Sequence, residues 1–292
     1  MVNNKQDKEI ILSLIIINYK TSTLLKQCIQ SIQKNEPKFG YEIIAVDNNS
    51  EDGSAEMVRD DFENNVELIA NKENLGFPKA VNQGVNKSKA SKYVLVLNPD
   101  ITVIENCLDE MHQYMEENKD IAILGPKLLN PNGSIQYSCF SQYPSLKMVL
   151  YRRTVLGKTE NAKKKVNKFL MTGWDHKQES EVAWILGSCM FVRKEAIEKV
   201  GLMDERFFMY MEDVDWCRRF WNNDYKVVYS PKFKMVHYYQ RASASEPSIL
   251  KSMFNRITRI HIASAIKFFF KYWQYKDKNI PNFNTNLNKK NL

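Results

Sequence analysis

Two short apolar runs end in polar, acid-bearing segments, and a third group of acids follows further along the chain. Ile43-Ile44-Ala45-Val46 leads into Asp47-Asn48-Asn49-Ser50, and Val94-Leu95-Val96-Leu97 leads into Asn98-Pro99-Asp100. If these runs are strands of an open α/β sheet, Asp47 and Asp100 stand beyond their carboxyl ends, where such sheets bind ligands. The competing reading is that each aspartate caps the helix that follows. Asn74-Leu75-Gly76-Phe77, a further turn after the strand-like Leu68 to Ala70, tips the balance toward a ligand crevice. The third group sets Glu212, Asp213 and Asp215 among Phe207, Phe208, Tyr210, Met211 and Trp216. Like charges this close among aromatics oppose one another's ionisation and raise at least one carboxyl pKa toward the range of a general base. Alternatively the segment is an acidic helix start, stabilised by the helix dipole and neutralised by Arg218 and Arg219. His237 follows another strand-like run, and no second histidine at ligand spacing accompanies it, which argues against zinc. Joined by one carboxylate and a diphosphate it could complete a Mg2+ or Mn2+ site; otherwise it is a hydrogen-bonded packing residue.

These residues need elements to hold them. Strand-like Leu12 to Ile17, Tyr41 to Val46, Val66 to Ala70 and Tyr93 to Leu97 alternate with helix-like Ser22 to Lys34, Ser54 to Phe62 and Lys79 to Ser88. That alternation predicts βαβ units and a largely parallel sheet. A helix follows over Asn106 to Asn118. Two β-like runs then flank the turn Asn130-Pro131-Asn132-Gly133. Residues 138–180, rich in Lys, Arg, Tyr and Ser, lack a clear pattern and read as a variable, partly mobile insertion. Order returns with Ala183 to Val192, a helix over Lys194 to Val200 and a strand over Lys226 to Tyr229. We divide the chain into an α/β half over 1–125, a second half of the same domain over 126–248, and a basic amphipathic helix and tail over 249–292.

The composition of the 292 residues, 43% hydrophobic and 12% aromatic, supplies a sizeable core. Five scattered cysteines with no CxxC pair argue against a disulfide framework or a cysteine zinc site and fit a reducing cytoplasm. The run Ile10 to Ile17 reads as a buried strand rather than a signal peptide, and no uncharged apolar stretch is long enough to span a bilayer. The formal charge of +8 resides in the tail: from Lys251 onward nine Lys or Arg face one acid, Asp277. The preceding residues are electrically balanced, so a nucleic-acid surface is not expected at the site. On a helical wheel Arg256, Arg259, Lys267 and Lys271 share one arc, intruded upon by Ile260 and Phe270. The rest of the wheel is largely apolar, with Ile257, Ile262, Ala265, Ile266, Phe268, Phe269, Tyr272 and Trp273. Such a helix either packs its apolar face on the domain or lies on an anionic membrane surface with its basic residues on lipid.

Read in order, Ile17-Asn18-Tyr19, Val46-Asp47-Asn48-Asn49-Ser50 with Asp52-Gly53-Ser54, Glu73-Asn74-Leu75-Gly76-Phe77, Leu97-Asn98-Pro99-Asp100, Leu129-Asn130-Pro131-Asn132-Gly133-Ser134, Phe207 to Asp215 and Val236-His237 resemble the family 2 glycosyltransferases. Within them the match is to the bacterial rhamnosyltransferase-like branch, and it runs over residues 11–240. The resemblance implies a GT-A type α/β fold, with a Rossmann-like, mostly parallel sheet flanked by helices. It implies an inverting transferase acting on a dTDP- or UDP-sugar and a glycan or lipid-linked acceptor in cell-surface polysaccharide synthesis, with L-rhamnose favoured. By motif, Asn18, Asp47, Asn49, Asn74, Gly76, Asn98 and Asp100 would bind the donor. Asp100 and His237 would hold a divalent ion, Mg2+ or Mn2+, and Asp213 would be the base with Glu212 beside it. Asn98 stands where the family's DxD motif has its first acid, so fewer carboxylates would hold the metal. The implied location is cytoplasmic, peripheral at the inner face of the plasma membrane.

Two alternatives compete. A non-catalytic scaffold of the same fold would be marked by loss of the acidic segment, which is intact here. A sugar nucleotidyltransferase normally carries a glycine-rich phosphate loop after the first strand, and Asn18-Tyr19-Lys20-Thr21-Ser22 has no glycine.

Overall fold

The computed structural model describes residues 9–153, 155–238 and 256–275. Its first strand, β1 (Ile10–Asn18), runs through the centre of the molecule with Leu12, Leu14, Ile15 and Ile16 fully buried. A strand that is apolar on both faces belongs to a sheet covered on both sides, and the rest of the chain supplies those covers.

In chain order there follow α1 (Ser22–Lys34), β2 (Gly40–Asp47), α2 (Ser54–Phe62), β3 (Val66–Ala70), α3 (Phe77–Lys87), β4 (Tyr93–Leu97), β5 (Ile101–Val103), α4 (Cys107–Glu117) and β6 (Ile121–Leu129). Then come β7 (Cys139–Phe140), α5 (Leu146–Arg153), a 3-10 turn (Val155–Lys158), α6 (Glu160–Phe169), β8 (Ser180–Glu181), β9 (Trp184–Ile185), β10 (Cys189–Arg193) and α7 (Lys194–Val200). The described chain closes with α8 (Glu212–Trp221), β11 (Lys226–His237) and α9 (Arg256–Lys271).

The main sheet runs β3-β2-β1-β4-β10-β6-β11-β5, with β8 added on β11, and β7 pairs with β9 in a small second sheet. β3, β2, β1 and β4 are parallel, as are β6 and β11. Antiparallel pairing enters only through β10, β5 and β8. The sheet is therefore mostly parallel, as the alternation predicted. One face packs Leu12, Leu14 and Ile16 against α1, α2 and α4 through Leu25, Ile29, Val58, Phe62 and Met111. The opposite face packs Ile15, Ile17, Ile44 and Val46 against α3, α7, α8 and α9 through Val81, Ile197, Phe220 and Phe268. The result is three layers with helices on both sides of one sheet.

Several expectations shift. The third helix starts at Phe77 rather than Lys79, because Pro78 fits the first turn, where its missing N–H is no loss. The run Ala183 to Val192 breaks at residues 186–188 into β9 and β10, and the last strand continues past Tyr229 to His237. Residues 138–180, expected as an irregular insertion, contain α5 and α6, and Thr159 caps α6 by accepting from the Ala162 N–H. Their lysine-rich composition hid the pattern because only Ala162 and Phe169 of α6 are buried.

Candidate active site

The parallel register sets Asn18 directly beside Asp47, each the last residue of its strand. Asn18 is fully buried and its amide is consumed: Nδ2 donates to Asp47 Oδ1 (2.8 Å), Ser50 Oγ (2.9 Å) and Ser54 Oγ (2.8 Å), while Oδ1 accepts from Thr21 Oγ1. Asp47 also accepts from the Ser50 N–H and hydroxyl. Neither Asp47 nor Asp100 caps a helix; Asp52 does that work, accepting from the N–H groups of Ser22 and Ser54 at the starts of α1 and α2. Asn49 is half-buried at φ 62° and its amide nitrogen lies 3.5 Å from Glu51, so it stands outside this brace.

Asn48, absent from the expected set, is the hub of the next loop. Buried at the strand end, it donates to Asn74 Oδ1 and the Gly76 carbonyl (3.2 Å each) and accepts from Leu75 N–H and Asn71 Nδ2 (3.1 Å each). Asn74 Oδ1 also takes the Gly76 N–H. Gly76 has φ +86°, and a Cβ there would come within 2.4 Å of the Phe208 carbonyl oxygen. That carbonyl accepts the Phe77 N–H at 2.8 Å. A glycine is required both for the backbone conformation and for the approach of residues 207–211, which lead into α8.

Beyond β4, Asp100 meets His237 at the end of β11: Oδ1 lies 3.0 Å from Nε2. Gln136 Nε2 donates to Asn130 Oδ1 and to the His237 carbonyl, which turns its Oε1 toward His237 Nδ1 at 2.8 Å. Nδ1 therefore carries a proton, and Nε2 faces Asp100, where its lone pair can take an ion whenever that nitrogen is unprotonated. Asp100 Oδ1 is buried and accepts no hydrogen bond among the described residues. Two ligand atoms converging at 3.0 Å match adjacent positions on an octahedral ion with bonds of about 2.1 Å. Asp100 and His237 fit a divalent cation that takes its remaining ligands from elsewhere, since no cluster of three His, Cys, Asp or Glu ligands exists among the described residues. Asn98, next to them, is half-buried, and its N–H donates to the Ser188 carbonyl at 2.9 Å.

The acidic segment opens α8 behind two positive-φ residues, Tyr210 and Met211, and the structure divides its three acids. Asp215 is fully buried and structural: it binds Arg219 Nε (2.9 Å), Lys271 Nζ (2.5 Å) and the Tyr272 hydroxyl (2.8 Å). Asp213 accepts from the N–H groups of Gly187 (3.1 Å) and Val214 (2.8 Å), and its carboxyl is raised from 3.8 to about 6. The cause is burial, opposed by those N–H bonds, rather than the like-charge repulsion that the sequence suggested. Glu212 is buried with Oε2 unpartnered among the described residues, and burial first, then the charge of Asp213, pushes it well above its ordinary value. Arg219 does neutralise an acid, but Asp215; Arg218 instead lies over the Tyr272 ring at 3.7 Å.

The loop between β9 and β10 joins these parts. Ser188 receives the Asn98 N–H while its neighbour Gly187 donates to Asp213, so two adjacent residues link the end of β4 to the start of α8. The structure thus draws Asp47, Asn74, Gly76, Asn98, Asp100, His237, Glu212 and Asp213 into one connected set of loops beyond the sheet. Asn18 braces it from beneath. Besides Asn48, sequence reasoning missed Ser50, Gln136, Gly187 and Ser188. The first two stand in motif strings already singled out or immediately after them, whereas nothing local marks the 187–188 loop.

A mostly parallel sheet covered by helices on both faces, with these loops gathered beyond its strand ends, is a GT-A type fold. Residues 13–201 match the family described as glycosyl transferase family 2, and the chain belongs to that family. It is a glycosyltransferase resembling bacterial rhamnosyltransferases. It is 26% identical over 263 residues to an N-acetylglucosaminyl-diphospho-decaprenol L-rhamnosyltransferase of Mycobacterium tuberculosis, an alignment that spans 87% of this chain and 84% of that one. It is 24% identical over 177 residues to the rhamnosyltransferase WbbL of Escherichia coli, spanning 60% and 61%. Among solved structures, GalNAc-T7 with UDP, GalNAc and Mn2+ superposes with TM-score 0.61 at 17% identity, over 82% of this chain and 45% of that one. The mannosyltransferase PcManGT of Pyrobaculum calidifontis, in complex with GDP-Man and Mn2+, gives 0.56 at 15% identity, over 90% and 68%. These likenesses carry the fold.

Proposed function

We propose that this glycosyltransferase is inverting and moves a sugar, L-rhamnose by analogy with its named relatives, from a dTDP- or UDP-linked donor to a glycan or lipid-linked acceptor in cell-surface polysaccharide synthesis. The observation that carries the proposal is Asp213: a buried carboxylate with a pKa of about 6, joined through Gly187 and Ser188 to the Asp100 strand end. Inversion needs a base on the acceptor side and a held diphosphate on the other. Asp213 takes the proton of the acceptor hydroxyl as its oxygen attacks the anomeric carbon, and the bond to the diphosphate oxygen breaks with the electron pair leaving on that oxygen. Glu212, buried beside it with its carboxyl pushed well above its ordinary value, disfavours a second negative charge in the site. Asp47, Asn74, Gly76, Asn98 and Asp100 form the donor wall, with Asn18 bracing it and Asn49 at its rim. Asp100 and His237 would hold Mg2+ or Mn2+, which when bound supplies Lewis-acid stabilisation of the leaving diphosphate.

In this reading residues 1–125 serve the donor, 126–248 the acceptor and catalysis, and 249–292 form an appended helix and tail. The enzyme works in the cytoplasm, peripheral to the inner face of the membrane. Among the described residues no helix is long and apolar enough to cross a bilayer. The test is release of nucleoside diphosphate from a panel of nucleotide sugars, with and without Mg2+ and with a lipid-diphosphate acceptor. Acceptor-dependent release from one donor is expected. Absence of release from every donor would instead support the non-catalytic scaffold, and pyrophosphate release from a nucleoside triphosphate and a sugar phosphate would support the nucleotidyltransferase.

A further inference from the structure

Helix α9 is amphipathic in a direction that its wheel did not reveal. Ala265 and Phe268 are buried against the domain, Ser264 Oγ donates to the Met209 carbonyl, and His261 stacks on Tyr210 with ring centroids 4.5 Å apart. Lys271, expected on an outward basic arc, turns inward to Asp204 (2.7 Å) and Asp215 (2.5 Å). The opposite face carries Ile262, Ile266, Phe270 and Trp273, exposed to 41%, 48%, 76% and 74%. At 100° per residue Ile262, Ile266 and Phe270 fall within about 80° of arc, an apolar stripe along the helix that Trp273 extends in the turn just after it. Exposed Arg256 and Arg259 flank or enter it, while Lys267 Nζ donates to the Arg206 carbonyl at 2.6 Å.

We propose that this stripe is a membrane-docking face, with Phe270 and Trp273 seated at the headgroup boundary and Arg256 and Arg259 on anionic lipid. A contiguous apolar stripe ending in a tryptophan, with basic neighbours, has the composition of an interfacial helix. Charge selects the occupant. From Pro247 to Lys276 the sequence contains no acid at all. A second copy of the same face would bring like charges together in an isologous contact, whereas an anionic bilayer complements them.

The inner face of the same helix holds Met209, Tyr210 and Asp215 around the start of α8. Helix α8, which carries Asp213 in its first turn, therefore lies directly behind the docked helix. That placement suits an acceptor whose reactive sugar is linked to a bilayer-embedded lipid. This last point rests on the proposed lipid-linked acceptor; the docking itself does not.

Flotation of the full chain with phosphatidylcholine vesicles, with and without phosphatidylglycerol, tests the inference. Binding to the anionic vesicles and release by high salt are expected. Arg256→Gln with Arg259→Gln should weaken partition about 30-fold, from two basic residues at a charged surface. Phe270→Ser with Trp273→Ser should weaken it by more than about tenfold. Both pairs should leave turnover on a water-soluble acceptor unchanged. No flotation of the parent, or flotation that both pairs leave intact, overturns the inference. So does a concentration-dependent dimer that Phe270→Ser with Trp273→Ser dissociates while vesicles stay unbound. Turnover without vesicle binding removes only the docking face, and vesicle binding without turnover on any donor removes only the catalytic reading.

Discussion

Replacing Asp213 by Asn separates its role in catalysis from its role in stability. The Asp213 carboxyl is raised by burial from 3.8 to about 6, so the folded protein prefers it protonated. The stability supplied by that preference is fully present below pH 3.8 and is lost as pH rises through 6. Relative to a neutral side chain, ionised Asp213 disfavours folding by on the order of 2 kcal/mol at pH 5 and 3 kcal/mol at pH 8. Asn is neutral at every pH, but it can accept from only one of the Gly187 and Val214 N–H groups. The other is left facing an amide, which costs about 1–3 kcal/mol and does not vary with pH. Urea unfolding of both proteins at pH 5 and pH 8 reads the difference between them. From pH 5 to pH 8 that difference should shift toward the Asn variant by on the order of 1 kcal/mol and change little above pH 7. Transfer by the parent should rise with pH through about 6 as the base ionises, and the variant should be slower by about 10²- to 10⁴-fold. A stability difference independent of pH would refute the buried-carboxylate argument. Near-parental transfer by a folded variant would refute the role in catalysis and turn attention to Glu212.

Isothermal titration of Mn2+ in the presence of nucleoside diphosphate should show tight binding in the parent and none in Asp100→Ala. Gln136→Leu, which frees the His237 tautomer without removing a ligand, should weaken binding about 10- to 100-fold. Gly76→Ala should destabilise the protein by on the order of 2 kcal/mol in a melt, since its Cβ meets the Phe208 carbonyl at 2.4 Å in a left-handed conformation. Lys271→Met should lower stability by about 2 kcal/mol, less than a fully orphaned buried pair, because Asp215 keeps Arg219 and Tyr272 and Asp204 keeps Arg206; unchanged unfolding would make the inward turn of Lys271 inconsequential.

The order of strands and helices was legible in residues 9–118, the short β5 excepted, because each of the other elements there carries its own period: β1, β2 and β4 are apolar runs, and α1 to α4 repeat on one face. The sites also stood out locally, since acids and glycines at strand ends are conspicuous after apolar runs. Other features depend on residues far apart in the chain. Gln136 sets the His237 ring from 101 positions away, and Gly187 reaches Asp213 across 26. No local pattern encodes such pairs. Three acids in four residues look alike in sequence, yet the fold makes Asp215 an anchor and leaves Asp213 and Glu212 without a cation among the described residues, so that burial is the main influence on their pKa. The same holds for α9. A wheel gives its two apolar flanks and its basic arc, but which flank is buried depends on what the domain offers. Here Asp204 and Asp215 capture Lys271, Met209 takes Ser264, and the helix is rotated so that Phe270 and Trp273 face outward.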